Sequence, residues 1–225
     1  MLGKLIALSF LLCLSASLNF AQNLKKRVVF FGDSITELGV KENGYITKVG
    51  SLIKEKNLSD KFELIGAGVS GNKIYDLYLR LETDVLSKSP DIVVIYIGVN
   101  DVWHKRLLGT GTDFDKFGKF YEAITSKMQT AKIKVILCTP AVVGERTDFS
   151  NELDGDLNLY SKWIREFAAK NEFPLVDLRK SFLDYNLNNN KDNKASGILT
   201  TDKVHLNQKG NELVAQEIWK VLQTF

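Results

Sequence analysis

The strongest constraint in this chain is an alternation of two periodicities. Short runs that are almost continuously apolar, at positions 27–31, 62–65, 92–97, 134–137 and 175–176, are separated by longer stretches whose apolar residues recur every three to four positions. A strand that reads apolar on both faces is buried on both faces, the condition met in a parallel sheet covered by helices. The stretches 45–56, 74–86, 114–131, 157–171 and 207–222 read as those helices. In the last, Leu213, Val214, Ile218, Val221 and Leu222 put an apolar stripe on one side. Strand, helix and strand repeated with right-handed crossovers predict an α/β chain, a three-layer α/β/α sandwich with a flavodoxin-like five-stranded parallel sheet. The stretches 102–115, 141–156 and 188–196 are polar and read as loops.

The amino terminus has another character. Lys4 precedes an apolar run over 5–14, and small and polar residues follow up to Ala21-Gln22, the layout of a secretory signal peptide cleaved after Ala21. The run is shorter than the ~20 residues that cross a bilayer. Residues 1–21 therefore read as a leader and 22–225 as one folded domain, secreted or periplasmic, with no stable membrane insertion. Losing Lys4 changes 30 basic against 27 acidic residues to 29 against 27. So balanced a charge, with no basic run to neutralise a row of phosphates, argues against a nucleic-acid partner. Of the two cysteines Cys138 alone remains, in an apolar run, so it reads as core and no internal disulfide is expected.

In a sheet of this kind the loops at the carboxyl ends of the strands converge on one crevice. Four chemically distinctive blocks fall on that rim: Gly32-Asp33-Ser34-Ile35, Gly66-Ala67-Gly68-Val69-Ser70-Gly71-Asn72, Gly98-Val99-Asn100-Asp101 and Asp202-Lys203-Val204-His205. A serine hydroxyl needs a base to attack at neutral pH, and an imidazole titrating near 6.5 is suited to that task. The three-residue step from Asp202 to His205 lets a carboxylate accept the imidazole Nδ1–H, leaving Nε2 for Ser34. Preorganised donors for the developing oxyanion, each worth roughly 3 to 4 kcal/mol, could come from the Ser34 and Gly71 amides and the Asn100 side chain. A glycine at 71 allows a positive φ and close backbone approach.

Four blocks in this order resemble the SGNH hydrolases, also called the GDSL esterase/lipase family, across essentially the whole of 22–225. The resemblance implies a serine esterase with Ser34 as nucleophile, Asp202 and His205 completing the triad, and Gly71 and Asn100 donating to the oxyanion. This chain has Ile35 where the family name has Leu, and Gly66-Ala67 where an Asn commonly precedes Gly68, a change that bears on loop packing. The expected activity is hydrolysis of short-chain carboxylic esters through an acyl-enzyme, of small-molecule or carbohydrate type, with no cofactor and no metal. Exported family members often remove O-acetyl groups from carbohydrate; Asp33, Trp103 and His104 are candidate substrate contacts, and Tyr75 and Tyr78 could join Trp103 in a stacking surface.

Other readings of the same residues stand beside these. Ser34 could simply begin a helix after a strand, Asn100 could cap one, Gly68 could be a turn glycine, and His104 could be a surface loop residue. Lysophospholipid or other acyl esters are alternative substrates. A metal-dependent phosphoesterase could use Asp33, Asp202 and His205 as ligands, leaving Ser34 idle. A flavodoxin-like binder of nucleotide or flavin phosphate would want a Gly-x-Gly-x-x-Gly or a Gly-Lys-Ser/Thr loop, and the sequence has neither.

Overall fold

A computed structural model describes residues 25–225; the leader expected over 1–21 lies outside the described residues. Five strands form one parallel sheet in the order β2-β1-β3-β4-β5: β1 Lys26–Gly32, β2 Phe62–Gly68, β3 Ile92–Tyr96, β4 Lys134–Cys138 and β5 Leu175–Val176. This is the doubly wound order expected, and its chain reversal lies between β1 and β3, where the carboxyl-end loops open into a crevice.

The continuous apolar runs have the predicted cause. Val28, Phe30, Ile92, Val94, Tyr96, Ile136 and Cys138 bury against one helical layer, built around α2 (Tyr45–Glu55) and α8 (Gln208–Leu222). The alternate residues Val29, Phe31, Val93, Ile95, Val135 and Leu137 bury against the other, formed by α3 (Ile74–Asp84), α5 (Phe114–Thr130) and α6 (Asp154–Lys170). In α8, Val214, Ile218 and Leu222 are all fully buried one turn apart; each such side chain contributes roughly 1.5–3 kcal/mol of transfer free energy. Cys138 is buried in the core, where desolvation pushes its thiol well above the usual range.

Among the described residues three further α-helices, α1 (Ser34–Gly39), α4 (Val99–Leu108) and α7 (Leu178–Asn189), and a short 3-10 helix over Leu86–Lys88 complete the fold. The expectation of a loop over 102–115 is corrected by α4, which carries Trp103 and His104 on a helix. Its first turn is buried while Leu107 and Leu108 are exposed, so the apolar pattern that announces a helix is broken halfway. Among the described residues no helix is long and apolar enough to cross a membrane.

Candidate active site

Each of the four blocks is placed by a strand end or a helix start. Ser34 is the first residue of α1, directly after β1; Asp33 is the N-cap, its Oδ1 accepting from the Ile35 amide at 3.0 Å. Ser34 thus points from the amino end of a helix, whose first N–H groups lack intrahelical acceptors. The turn is held from beside by β2. A Cβ on Gly68 would lie 2.0 Å from the Glu37 nitrogen, so Gly68 serves close packing of a strand end against α1 rather than a turn. Glu37 then reaches the next loop, its Oε2 accepting from the Ser70 amide at 2.6 Å.

Gly71 has φ +77°, the left-handed region that glycine enters freely, and its nearest non-neighbour to a notional Cβ is His104 Cε1 at 3.9 Å. Arg80 pins this loop from below: its guanidinium donates to Asn72 Oδ1 at 2.7 Å and to the Gly32 and Ala67 carbonyls at 2.7 and 3.0 Å. Asn100, on the first turn of α4 and 2% exposed, donates from Nδ2 to the Asn72 carbonyl at 3.1 Å. It is not a cap; Gly98 takes that position. The second hydrogen of Asn100 Nδ2 and the amides of Ser34 and Gly71 have no protein acceptor among the described residues.

The carboxyl-terminal block arrives as a tight irregular loop, with no helical turn between its two functional residues. His205 Nε2 stands 2.9 Å from Ser34 Oγ, and His205 Nδ1 stands 2.7 Å from Asp202 Oδ2. Because a carboxylate only accepts, Nδ1 carries the hydrogen and Nε2 is left to accept from the serine hydroxyl. Asp202 Oδ1 also accepts from the Val204 and His205 amides at 3.1 and 2.8 Å. Burial raises the Asp202 carboxyl, but the hydrogen bonds from the His205 ring and these amides outweigh it and hold the group below its usual range.

Glu145 is the residue that sequence reasoning missed. Fully buried in the loop after β4, it accepts from three successive amides: Ile198 at 2.9 Å, Leu199 at 2.6 Å and Thr200 at 2.8 Å. Those amides lead directly into the Asp202 to His205 loop, which is closed by the Thr200 and Leu206 bridge and by the Gly144 amide donating to the Lys203 carbonyl at 2.9 Å. A glutamate in a polar stretch gives no sign in the sequence that it is an internal clamp.

The candidate substrate contacts are redistributed. Asp33 is 1% exposed and turned inward, so it is a cap beneath Ser34 rather than a surface offered to substrate; burial, reinforced by the Asp101 carboxylate, raises it to about 7. Asp101 accepts from the Ile74 amide at 3.1 Å, and burial raises it to about 7 as well. His104, half-buried on α4, sits beside Gly71, and desolvation and then the Lys73 cation hold its imidazole below the usual value. Trp103 packs against His104, ring centroids 5.3 Å apart, whereas Tyr75 and Tyr78 pack on Phe120 at 6.3 and 5.6 Å. The expected single stacking surface is therefore two separate aromatic groups. Among the described residues no three His, Cys, Asp or Glu side chains are grouped to share a metal ion.

Chemically, this is a hydroxyl bound to an imidazole whose far nitrogen is bound to a carboxylate, beside free amide donors: the equipment for acyl transfer. Comparisons with known proteins agree. A family model described as "GDSL-like Lipase/Acylhydrolase family" matches residues 30–213. The crystal structure of an acetyl xylan esterase is 61% identical, with a TM-score of 0.85, covering 86% of this chain and 98% of that one. An acetylxylan esterase of Geobacillus stearothermophilus is 26% identical over 207 residues, 85% of this chain and 91% of that protein. A crystal structure of a catalytic mutant of an acetylxylan esterase from the same organism shares the fold, with a TM-score of 0.77 at 22% identity, over 88% of this chain and 94% of that one.

Proposed function

The chain belongs to the GDSL-like lipase/acylhydrolase family and is a carboxylic ester hydrolase, and from that premise we propose that it removes O-acetyl groups from carbohydrate by an acyl-enzyme route on Ser34. The observation that carries the route is the unbroken contact from Ser34 Oγ through His205 to Asp202, at 2.9 and 2.7 Å. The carbohydrate acetate is supported by the 61% identity to an acetyl xylan esterase across almost the whole of that chain.

Ser34 Oγ attacks the acetyl carbonyl carbon while its proton passes to His205 Nε2. The negative charge that gathers on the carbonyl oxygen is received by the Ser34 and Gly71 amides and the free hydrogen of Asn100 Nδ2. Asp202 holds the ring in the tautomer that can accept and stabilises the imidazolium once formed. Collapse of the tetrahedral intermediate breaks the bond to the sugar oxygen, which leaves with the proton from His205. Water then repeats the cycle on the acetyl-serine, giving up a proton to His205 and releasing acetate as the serine hydroxyl is restored. Residues 1–21 act as an export leader in this proposal, and the amino-terminal sequence of the exported product should then begin at Gln22.

The test of the route is Ser34→Ala assayed on p-nitrophenyl acetate. The expected result is hydrolysis at background, and more than a few per cent of wild-type rate overturns the assignment. The test of the substrate class is a chain-length series of nitrophenyl esters run beside acetylated xylooligosaccharide. Faster cleavage of C8 to C12 esters than of acetate overturns the carbohydrate reading.

A further inference from the structure

A cavity of about 530 Å³ is lined by Trp103 and Lys203, sequence neighbours of His104 and Asp202, and its charge has no part in ester cleavage itself. Its lining includes Trp103, Arg106, Arg146, Glu152 and Lys203. Lys203 sits between Asp202 and His205 in sequence, so the cavity shares a wall with the segment that carries the imidazole. That location has a chemical meaning. The proton on His205 Nε2 goes to the departing sugar oxygen, so the alcohol half of the substrate must lie on the imidazole side of Ser34.

Three cations face this space against one carboxylate, and Glu152 is 4.0 Å from Arg106. Among the described residues neither Arg146 nor Lys203 is paired with an acid. The wall holding Arg146 is also rigid. Asn151 donates from Nδ2 to the Arg146 carbonyl at 2.7 Å and to Asp154 Oδ2 at 3.0 Å; Asp154 in turn accepts from the fully buried Arg179 at 2.7 Å. Asn193 bonds Asp148 at 2.6 Å and accepts from the Thr147 amide at 2.8 Å. Phe149, in the same loop, is left-handed at φ 67° and 94% exposed. Lys203 is left-handed too, at φ 85°. A left-handed conformation is disfavoured for a residue bearing a Cβ. The Trp103 ring in the cavity wall, with the unneutralised Arg146 guanidinium and Lys203 ammonium, offers what a charged pyranose requires: an apolar face to lie on, and cations for a carboxylate.

We propose that this cavity is a subsite for a uronic acid branch on the acetylated carbohydrate, with Arg146 and Lys203 receiving its carboxylate and Trp103 flanking its ring. The inference rests on the carbohydrate reading above and deepens it. Two exposed cations predict a preference of roughly tenfold in kcat/KM, about 1.4 kcal/mol, for an acetylated xylooligosaccharide bearing one uronic acid over its neutral counterpart. Added salt should erode that preference.

The experiment measures the charged-to-neutral ratio of kcat/KM for the wild type and for the Arg146→Gln, Lys203→Gln double variant. Taking a ratio cancels any general loss of folding or activity. The expected ratio is about 10 in the wild type at low salt, falling to about 1 in the variant. A wild-type ratio near 1, or a ratio that survives in the variant, overturns the subsite while leaving carbohydrate deacetylation intact. Cleavage of p-nitrophenyl acetate with neither oligosaccharide turned over overturns the carbohydrate reading and this inference with it.

Discussion

Substituting Asp202 in two ways separates its electrostatic part from its part in choosing the imidazole tautomer. In Asp202→Ala the imidazolium loses a carboxylate partner at 2.7 Å, but that carboxylate is 52% exposed. Two charges about 4 Å apart interact by ~1 kcal/mol in a water-like medium and ~4 kcal/mol at an effective dielectric of 20. A half-exposed pair sits towards the low end, so a loss of about 1–2 kcal/mol, or roughly 5- to 30-fold in kcat/KM, is expected. Asp202→Asn should be worse, although it is closer in shape. With its NH2 in the place of Oδ2, Asn donates to Nδ1 and drives the ring hydrogen to Nε2, which can no longer accept from Ser34. Flipped, the NH2 faces the Val204 and His205 amides, which now donate to Oδ1, and two hydrogen bonds of about 1 kcal/mol each are lost. Either arrangement adds to the electrostatic loss, so roughly 100- to 1,000-fold is expected for Asn. The assay is steady-state hydrolysis of p-nitrophenyl acetate at neutral pH, with circular dichroism to show both variants folded. An Asn variant as active as the Ala variant, or more active, refutes the tautomer argument.

Three further outcomes follow from the packing. Asp33 and Asp101 have folded pKa values of about 7, above their usual 3.8. Their contribution to stability is therefore full below pH ~4 and is lost as the pH rises through ~7, at up to ~1.4 kcal/mol per pH unit for each group. Asp33→Asn keeps an acceptor for the Ile35 amide and should roughly halve the fall between pH 5 and 7 in urea unfolding; an unchanged slope would count against the assignment. Gly68→Ala drives a methyl into the Glu37 backbone at 2.0 Å and should cost about 3 kcal/mol or more, whereas Gly71→Ala meets only His104 Cε1 at an ordinary contact of 3.9 Å and should cost about 1–2 kcal/mol of backbone strain. Thermal melts showing the reverse order would contradict the packing account. Glu145→Gln turns an amide donor toward one of three amides and should destabilise by about 1–3 kcal/mol. It should also lower kcat in excess of KM changes by loosening His205; a fully active variant with unchanged melting would remove its positioning role.

The inner strands were legible because burial on both faces leaves its mark on their residues, as Val28 to Phe31 and Val93 to Ile95 illustrate, whereas the edge strand β2 is only partly buried. The site blocks were legible because Ser34, Asp202 and His205 each bring a chemistry that few other residue types can replace. What escaped notice has physical reasons. The first turn of α4 buries Asn100 and Asp101, and its last turn is solvated, so its sequence lacks one continuous apolar side. In α7 the buried face is Leu178, Arg179, Phe182 and Asn186, and two of those four are polar: Arg179, which donates to the Ala141 carbonyl and to Asp154, and Asn186, whose Oδ1 is buried without a partner. Arg80 and Glu145 act on backbone carbonyls and amides, partners that any residue supplies. Such clamps leave no correlated side chain for a reader of the sequence to find.

The tie from Glu145 and Gly144 to the loop bearing His205 has a consequence for how such an enzyme diversifies. On the proposed reading, substrate choice and proton transfer share one joint there, so swapping residues 144–152 to court a new carbohydrate would also shift the proposed base, His205. The outer turn of α4, with Arg106 and Leu107 exposed and tied to nothing catalytic, is the freer margin. Redesign of the preferred sugar should begin on that helix.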